Sequence, residues 1–301
     1  MGVGRPGVVI PVYSVPPRCV LAVTDLSEPA GEAVGRAARL AARYGARLLV
    51  LYVAPPHVAP ELVEFARLRL RSHLRRHARE VPAARGTVRT GRVAAVVPDE
   101  AGGEGADLLV LGARGRHRPG GTGLGGVAGS LVRTGEVPAL VVRRPPGGAY
   151  RKVLLAVDES TASLAAARTG TGLTPGAERL LVHCVTVPGE HLLRMRGVPE
   201  GELERLRRTR TEQARPAAER IAADLAPRPA RVLVAPGRPQ DAVPRLAGSE
   251  GADLAVVGTG TRSAVGYAVL GSVAQHVVSE APCDVLVVPG PGPGPGPGPG
   301  R

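Results

Sequence analysis

Val20-Leu-Ala-Val-Thr-Asp25-Leu-Ser27, near the start of the chain, returns after its midpoint as Val153-Leu-Leu-Ala-Val-Asp158-Glu-Ser160. The run before each acid is short, apolar and rich in β-branched residues, the pattern of a buried strand. The echo continues downstream at even spacing. Glu104-Gly-Ala-Asp-Leu-Leu-Val-Leu-Gly112 returns as Glu250-Gly-Ala-Asp-Leu-Ala-Val-Val-Gly258. Gly125-Gly-Val-Ala128 returns as Gly271-Ser-Val-Ala274, and Val137-Pro-Ala-Leu-Val-Val142 as Cys283-Asp-Val-Leu-Val-Val288. The chain is two copies of one unit.

Working outward, copy one spans residues 18–144 and copy two residues 151–289, with Pro145-Pro-Gly-Gly148 as linker. Residues 1–17 form a Gly/Pro-containing lead. Residues 290–301 alternate Pro and Gly, cannot build a core, and are expected to be a disordered tail. A length of 301 residues suits two domains of ordinary size. In copy one, Ser27 offers an N-cap, Ala33, Val34, Ala37 and Ala41 follow at helical spacing, and Gly45 marks the stop. Leu48–Val53 reads as the second strand, closed by Pro55-Pro56. The Arg-rich stretch from Pro60 to about Glu80 reads as the second helix, Thr87–Val93 as a weak third strand, Asp107–Leu111 as the fourth and Ala139–Val142 as the fifth. In copy two, Gly170, Gly172 and Pro175 interrupt the first helix, which should be shorter. The stretch from Val185 to Gly237 is longer than its counterpart from Val53 to Gly91. Wholly apolar strands alternating with helices predict an α/β fold with a parallel sheet covered on both faces.

Composition narrows the function. Tryptophan is absent and aromatics make up 2%, so the cores are aliphatic. No apolar run approaches the roughly 20 residues that span a bilayer. The stretch from Gly7 to Val15 is short and broken by Pro11, a poor secretory segment. A cytoplasmic protein with no membrane partner is expected. Cys19, Cys184 and Cys283 lie in apolar runs without metal spacing and read as buried small hydrophobes. The net charge of +13 invites a nucleic-acid reading. Yet every basic residue except Lys152 is arginine, and Ala, Gly and Pro are abundant, as GC-rich codons would produce. The arginines concentrate at Arg67, Arg69, Arg71, Arg75, Arg76 and Arg79, and again at Arg194, Arg196, Arg205, Arg207, Arg208 and Arg210. Both runs read as solvated helix faces, with few aromatics for base stacking, which argues against nucleic acid. His73 and His77 stand four apart, but their cationic neighbours disfavour a metal.

Open parallel sheets bind ligands beyond the carboxyl ends of their strands, where the strand order reverses. If the order is 3-2-1-4-5, the acid ending the first strand (Asp25, Asp158) faces the glycine ending the fourth (Gly112, Gly258). Copy one continues Gly112-Ala-Arg114-Gly115, then Gly125-Gly126; copy two continues Gly258-Thr-Gly-Thr261, then Gly271-Ser272. A helix follows each loop. Glycines let a backbone approach phosphate, and free N–H groups at a helix start attract an anion. Two plainer roles stand beside this: the acids cap the following helix, or the glycines make a ligand-free turn. The Gly-Lys-Ser/Thr of a P-loop is absent, as is GxGxxG after the first strand.

With these motifs the chain resembles a tandem universal stress protein, two UspA-type domains covering nearly all of it. The features that carry the resemblance are the acid after the first strand, G-x2-G-x9-G-(S/T) after the fourth, and Ala281-Pro-Cys-Asp-Val-Leu-Val-Val288. The resemblance implies two Rossmann-like, adenine nucleotide alpha hydrolase-like domains. Each is a five-stranded sheet of order 3-2-1-4-5, pairing through its last strand. It also implies ATP, possibly accompanied by Mg2+, with adenosine near the acid and the end of the second strand and phosphates on the glycine loop. Carried over by position, Asp25, Val53, Gly112, Arg114, Gly115, Gly125 and Gly126 line one site. Asp158, Val185, Gly258, Thr261, Gly271 and Ser272 line the other. Gly126 stands where the pattern has Ser/Thr, losing a hydroxyl, and Thr261 where it has glycine, reshaping the loop.

The expected function is a stress-response sensor or regulator that binds an adenine nucleotide. Its two copies are expected to pair within the chain, Ala139–Val142 antiparallel to Val285–Val288, and a homodimer remains open. No base constellation marks an enzyme. The alternatives are a ligand-free pseudo-dimeric interaction module and, third, an enzyme that hydrolyses nucleotide or transfers nucleotidyl groups.

Overall fold

A computed structural model describes residues 16–77, 79–113, 126–145, 147–260 and 271–290. The first half runs β1 (Cys19–Thr24), α1 (Glu28–Tyr44), β2 (Arg47–Ala54), α2 (Pro60–Arg75), β3 (Arg85–Thr90), α3 (Val93–Glu104), β4 (Leu108–Gly112), α4 (Gly126–Thr134) and β5 (Ala139–Val142). The second runs β6 (Lys152–Val157), α5 (Thr161–Leu173), β7 (Glu178–Val185), α6 (Glu190–Met195), α7 (Glu200–Ala223), β8 (Arg231–Pro236), α8 (Pro239–Ser249), β9 (Leu254–Gly258), α9 (Ser272–Glu280) and β10 (Asp284–Val288).

All ten strands join one sheet in the order β3-β2-β1-β4-β5-β10-β9-β6-β7-β8. Within each half the strands are parallel and follow 3-2-1-4-5. The halves meet at β5 and β10, which pair antiparallel with Leu140 opposite Leu286. The alternation of side chains across the sheet sends two aliphatic cores to its two faces. One packs Leu21, Leu51, Leu109, Leu154 and Val257 under α3, α4, α8 and α9. The other packs Val20, Leu48, Val110, Leu155 and Val256 under α1, α2, α5 and α7.

Local sequence accounts for the element ends. Ser27 caps α1 by accepting from Ala30 N, and Gly45 ends it at φ 63°. Ser160 caps α5 in the same way, accepting from Ser163 N. Three expectations change. The third strand ends at Thr90, because Gly91 turns the chain at φ 143° and Val93 opens α3. The second helix ends at Arg75 rather than near Glu80. Gly170 and Gly172 do not interrupt α5, which is nevertheless shorter than α1. A Cβ on Gly170 would lie 2.7 Å from Val256 Cγ2, so the glycine lets helix and sheet approach closely. The longer stretch of copy two is accounted for by α6 and a long α7.

The arginines named on α2, α6 and α7 are exposed, except Arg207, which is partly covered among Glu190, Glu200 and Glu204. Gly290, assigned to the tail, is still packed: its N–H donates to Thr259 Oγ1 at 3.0 Å. The rest of the Pro-Gly segment lies outside the described residues, as does most of the lead. Among the described residues, no helix is long and apolar enough to cross a membrane.

Candidate functional site

In copy two the carboxyl ends of β6 and β9 adjoin, as the parallel pairing of Leu155 with Val256 fixes. Between them opens a crevice of about 250 Å3. Asp158, Ser160 and Ser163 form one rim, Gly258, Thr259 and Gly260 the other, and Gly271 and Ser272 close the end. Ala156, Val182, Cys184, Val243 and Val257 make an apolar floor and wall.

Asp158 is held inside its own turn. Its Oδ1 accepts from Ser160 N at 2.9 Å and from Ser160 Oγ at 2.5 Å. Its backbone N–H donates to Ser163 Oγ at 3.1 Å. Burial pushes the carboxyl up, but hydrogen bonds from Ser160 and Ser163 outweigh it and hold the group below its ordinary value. It is therefore ionised at neutral pH. In both copies the acid positions the capping serine rather than capping the helix itself; Asp25 Oδ1 accepts from Ser27 N at 3.0 Å.

The glycine rim is built for close approach. A Cβ on Gly258 would sit 2.7 Å from the Ala162 carbonyl oxygen, so only glycine lets β9 end against the start of α5. Gly260 and Gly271 bracket the intervening loop, and a Cβ on Gly271 would lie 3.8 Å from Gly260 N. The two loop ends thus meet at the crevice. Gly271 gives α9 no side-chain cap, so the first N–H groups of that helix keep their affinity for an anion.

Of the residues carried over by position, the structure gathers Asp158, Gly258, Gly271 and Ser272 around one crevice. Thr261 lies outside the described residues, as do Arg114, Gly115 and Gly125 of copy one. Asp25 directly follows β1, Gly112 ends β4 and Gly126 opens α4, while Val53 is buried near the end of β2.

Val185 is the exception. Its half-buried side chain packs against the core on the opposite face of the sheet. The strand register explains why: Thr24 pairs with Tyr52 and Val157 with His183, so the counterpart of Val53 is Cys184. A shift of one residue along a strand reverses the face. Cys184 accordingly lines the crevice half-buried, while Cys19 and Cys283 are buried in the core. Burial pushes the Cys184 thiol up to about 11, leaving it protonated and unreactive. Ser163 and Thr259 were also missed. Ser163 stands one turn into a helix, where sequence gives a serine no special role, and Thr259 sits between two glycines that dominated the reading.

Comparison with known proteins agrees with this architecture. The chain matches the universal stress protein family over residues 17–143 and again over 149–289. A Thermus aquaticus universal stress protein, from the region 3′ of a QAH/OAS sulfhydrylase, is 38% identical over 141 residues, 46% of this chain and 98% of the relative. Among solved structures, a universal stress protein from Archaeoglobus fulgidus DSM 4304 superposes with a TM-score of 0.64 at 18% identity. That alignment covers 90% of this chain and 98% of the other. A functionally unknown protein from Pseudomonas aeruginosa PAO1 gives 0.62 at 19% identity, covering 93% and 94%. These two share the fold along nearly the whole chain, and with both halves matched the chain belongs to the universal stress protein family as a tandem of two such domains.

Proposed function

We propose that the chain is a cytoplasmic stress-response protein that binds ATP or a related adenine nucleotide and acts as a sensor or regulator without turnover. The observation that carries the reading is the copy-two crevice. It combines an apolar slot, an ionised carboxylate and a glycine rim ending on an uncapped helix start. The apolar floor suits a base and Asp158 suits a ribose hydroxyl. The N–H groups of α9 with the Ser272 hydroxyl suit phosphates. Mg2+ would neutralise phosphate charge when bound.

The test is mass spectrometry of nucleotide released by denaturing the purified protein, followed by titration of ATP into the ligand-free form. Micromolar affinity is expected, weakened about ten- to hundredfold by Ser272→Ala. That is the loss of one hydrogen bond to a charged group, about 1.5–3 kcal/mol. No released nucleotide and no binding at millimolar ATP would overturn the reading. Steady ATP consumption abolished by Asp158→Ala would make the protein an enzyme instead.

One observation favours a ligand-free interaction module. Asp158 Oδ1 is already engaged by Ser160, so the turn needs no ligand to hold it. On that reading nucleotide binding is absent and Gly271→Val leaves partner recruitment unchanged.

A further inference from the structure

Leu62, Phe65 and Leu68 stand on the solvent side of α2, 57%, 59% and 60% exposed. The other side of that helix seats Ala66 and Leu70 in the core. Steps of three residues set the exposed trio in one stripe along the helix. Phe65 is the only phenylalanine in a chain with 2% aromatics. Large apolar side chains gathered on one exposed face mark an interaction surface, and aromatic ones anchor it. The other exposed large apolar residues, Val127, Leu192, Met195 and Leu206, are divided among α4, α6 and α7.

The order of residues around Phe65 selects the partner. The stretch reads Glu61-Leu62-Val-Glu-Phe65-Ala-Arg-Leu68-Arg69. Positions three and four away on either side share the face of Phe65. Three away stand Leu62 and Leu68; four away stand Glu61 and Arg69. The apolar residues are thus symmetric about Phe65 and the charges antisymmetric. Two antiparallel copies of α2, related by a two-fold axis at Phe65, set each Leu62 against Leu68 of the second copy. Each Glu61 then meets Arg69 of the second copy, and the two Phe65 rings meet at the axis. That is the self-complementarity an isologous contact requires. Glu61 and Arg69 are both exposed, and neither forms a hydrogen bond or ion pair among the described residues. Glu64 is instead taken up by Arg67 within the helix.

We propose that the α2 stripe is a dimerisation surface whose partner is a second copy of this chain, seated antiparallel about Phe65. The charge antisymmetry favours that partner over an anionic surface, which Glu61 would repel. A contact centred on one 16-residue helix is small, so micromolar association is expected rather than a permanent dimer. The proposal does not rest on nucleotide binding in the crevice.

The test is sedimentation equilibrium of the full chain from low micromolar to submillimolar concentration. Salt of about 0.15 M, with a Debye length of about 8 Å, screens the repulsion between two chains of net charge +13. The wild-type chain is expected to pass from monomer to dimer. Phe65→Ser should weaken association about tenfold or more, with the thermal midpoint of the dilute chain unchanged. Glu61→Arg sets arginine against arginine and should weaken association too. Glu61→Arg/Arg69→Glu restores opposite charges across the axis and should recover the wild-type constant. A wild-type chain that stays monomeric overturns the proposal, and so does a dimer that Phe65→Ser leaves intact. Failure of the charge exchange to recover association overturns the antiparallel register. A monomer destabilised by Phe65→Ser would mean that other residues of the same chain cover the stripe, and overturns the proposal as well.

Discussion

At the scale of single residues, Gly258 and Asp158 set the shape of the crevice. Gly258→Ala pushes a methyl group onto the Ala162 carbonyl and must part β9 from α5. A loss of about 1–3 kcal/mol is expected from such overpacking. Urea unfolding measures that loss, and ATP titration should show affinity falling with it. Asp158 contributes through its charged form. Its carboxyl is held below the ordinary value in the folded chain, so its stabilisation is present above the unfolded value and drains away as pH falls through the folded one. Asp158→Asn should flatten that part of the stability profile on the acid side of pH 4, and an unchanged profile would place the acid sensitivity elsewhere. Sequence made the acid and the glycines legible because they recur in both copies, and Ser272 because it fills the Ser/Thr position of the family motif. It misplaced Val185 by one position. The copies align well at the acid but drift where strand two ends, and one step along a strand changes which face a side chain meets.

Among the elements, α2 carries a pH response of opposite chemical origin. His73 packs against Gly31 of α1, 3.0 Å from where a Cβ would stand, and its Nε2 is buried without a hydrogen bond. Burial depresses both His73 and His77; nearby Arg76 adds to it in each case, and Glu80 partly opposes it at His77. The unfolded chain therefore takes up protons first. Stability should be full above about pH 6.5 and fall as pH drops from there toward the folded values. Thermal melts at pH 7.5 and 5.5 check this, and His73→Gln should narrow the difference; equal midpoints at both pH values would refute it. Among the described residues no group of three or more metal-ligating side chains forms. Helix positions were readable from caps and aliphatic spacing, as Ser27, Ala37 and Gly45 show. The continuity of α5 through Gly170 was not. A glycine that breaks a helix and one that admits a neighbouring strand look alike until Val256 is seen against it.

For the whole molecule, the seam at β5 and β10 is the deciding feature. It is secured by more than the strand pairing. Asp284 of the second half gathers Arg143 N, Tyr150 Oη and Arg36, and the Arg143 side chain donates to Val278 O at 2.7 Å. Burial, then the neighbouring Asp284, push the Tyr150 phenol far up, so it remains a donor. Asp284→Ala strands a buried guanidinium and should cost about 3–5 kcal/mol. Chemical denaturation should show that loss, and a cost under about 1 kcal/mol would mean that the cluster relaxes to solvent. The last-strand pairing was foreseen from the family resemblance, but this cluster was not. Arg36, Tyr150 and Asp284 are far apart in the chain and carry no shared motif.

Antiparallel joining also sets a polarity. The strands of one half run against those of the other, so the two strand-end regions that bear Asp25 and Asp158 lie at opposite margins of the sheet. Asp25 follows β1 and Asp158 follows β6, five strand spacings apart, so they are offset by about 24 Å across the sheet as well. No compact ligand touches both. Filling one end leaves the other sterically open, and any communication must pass through the packed interior. Ligands bound at the two ends would face away from each other across the sheet.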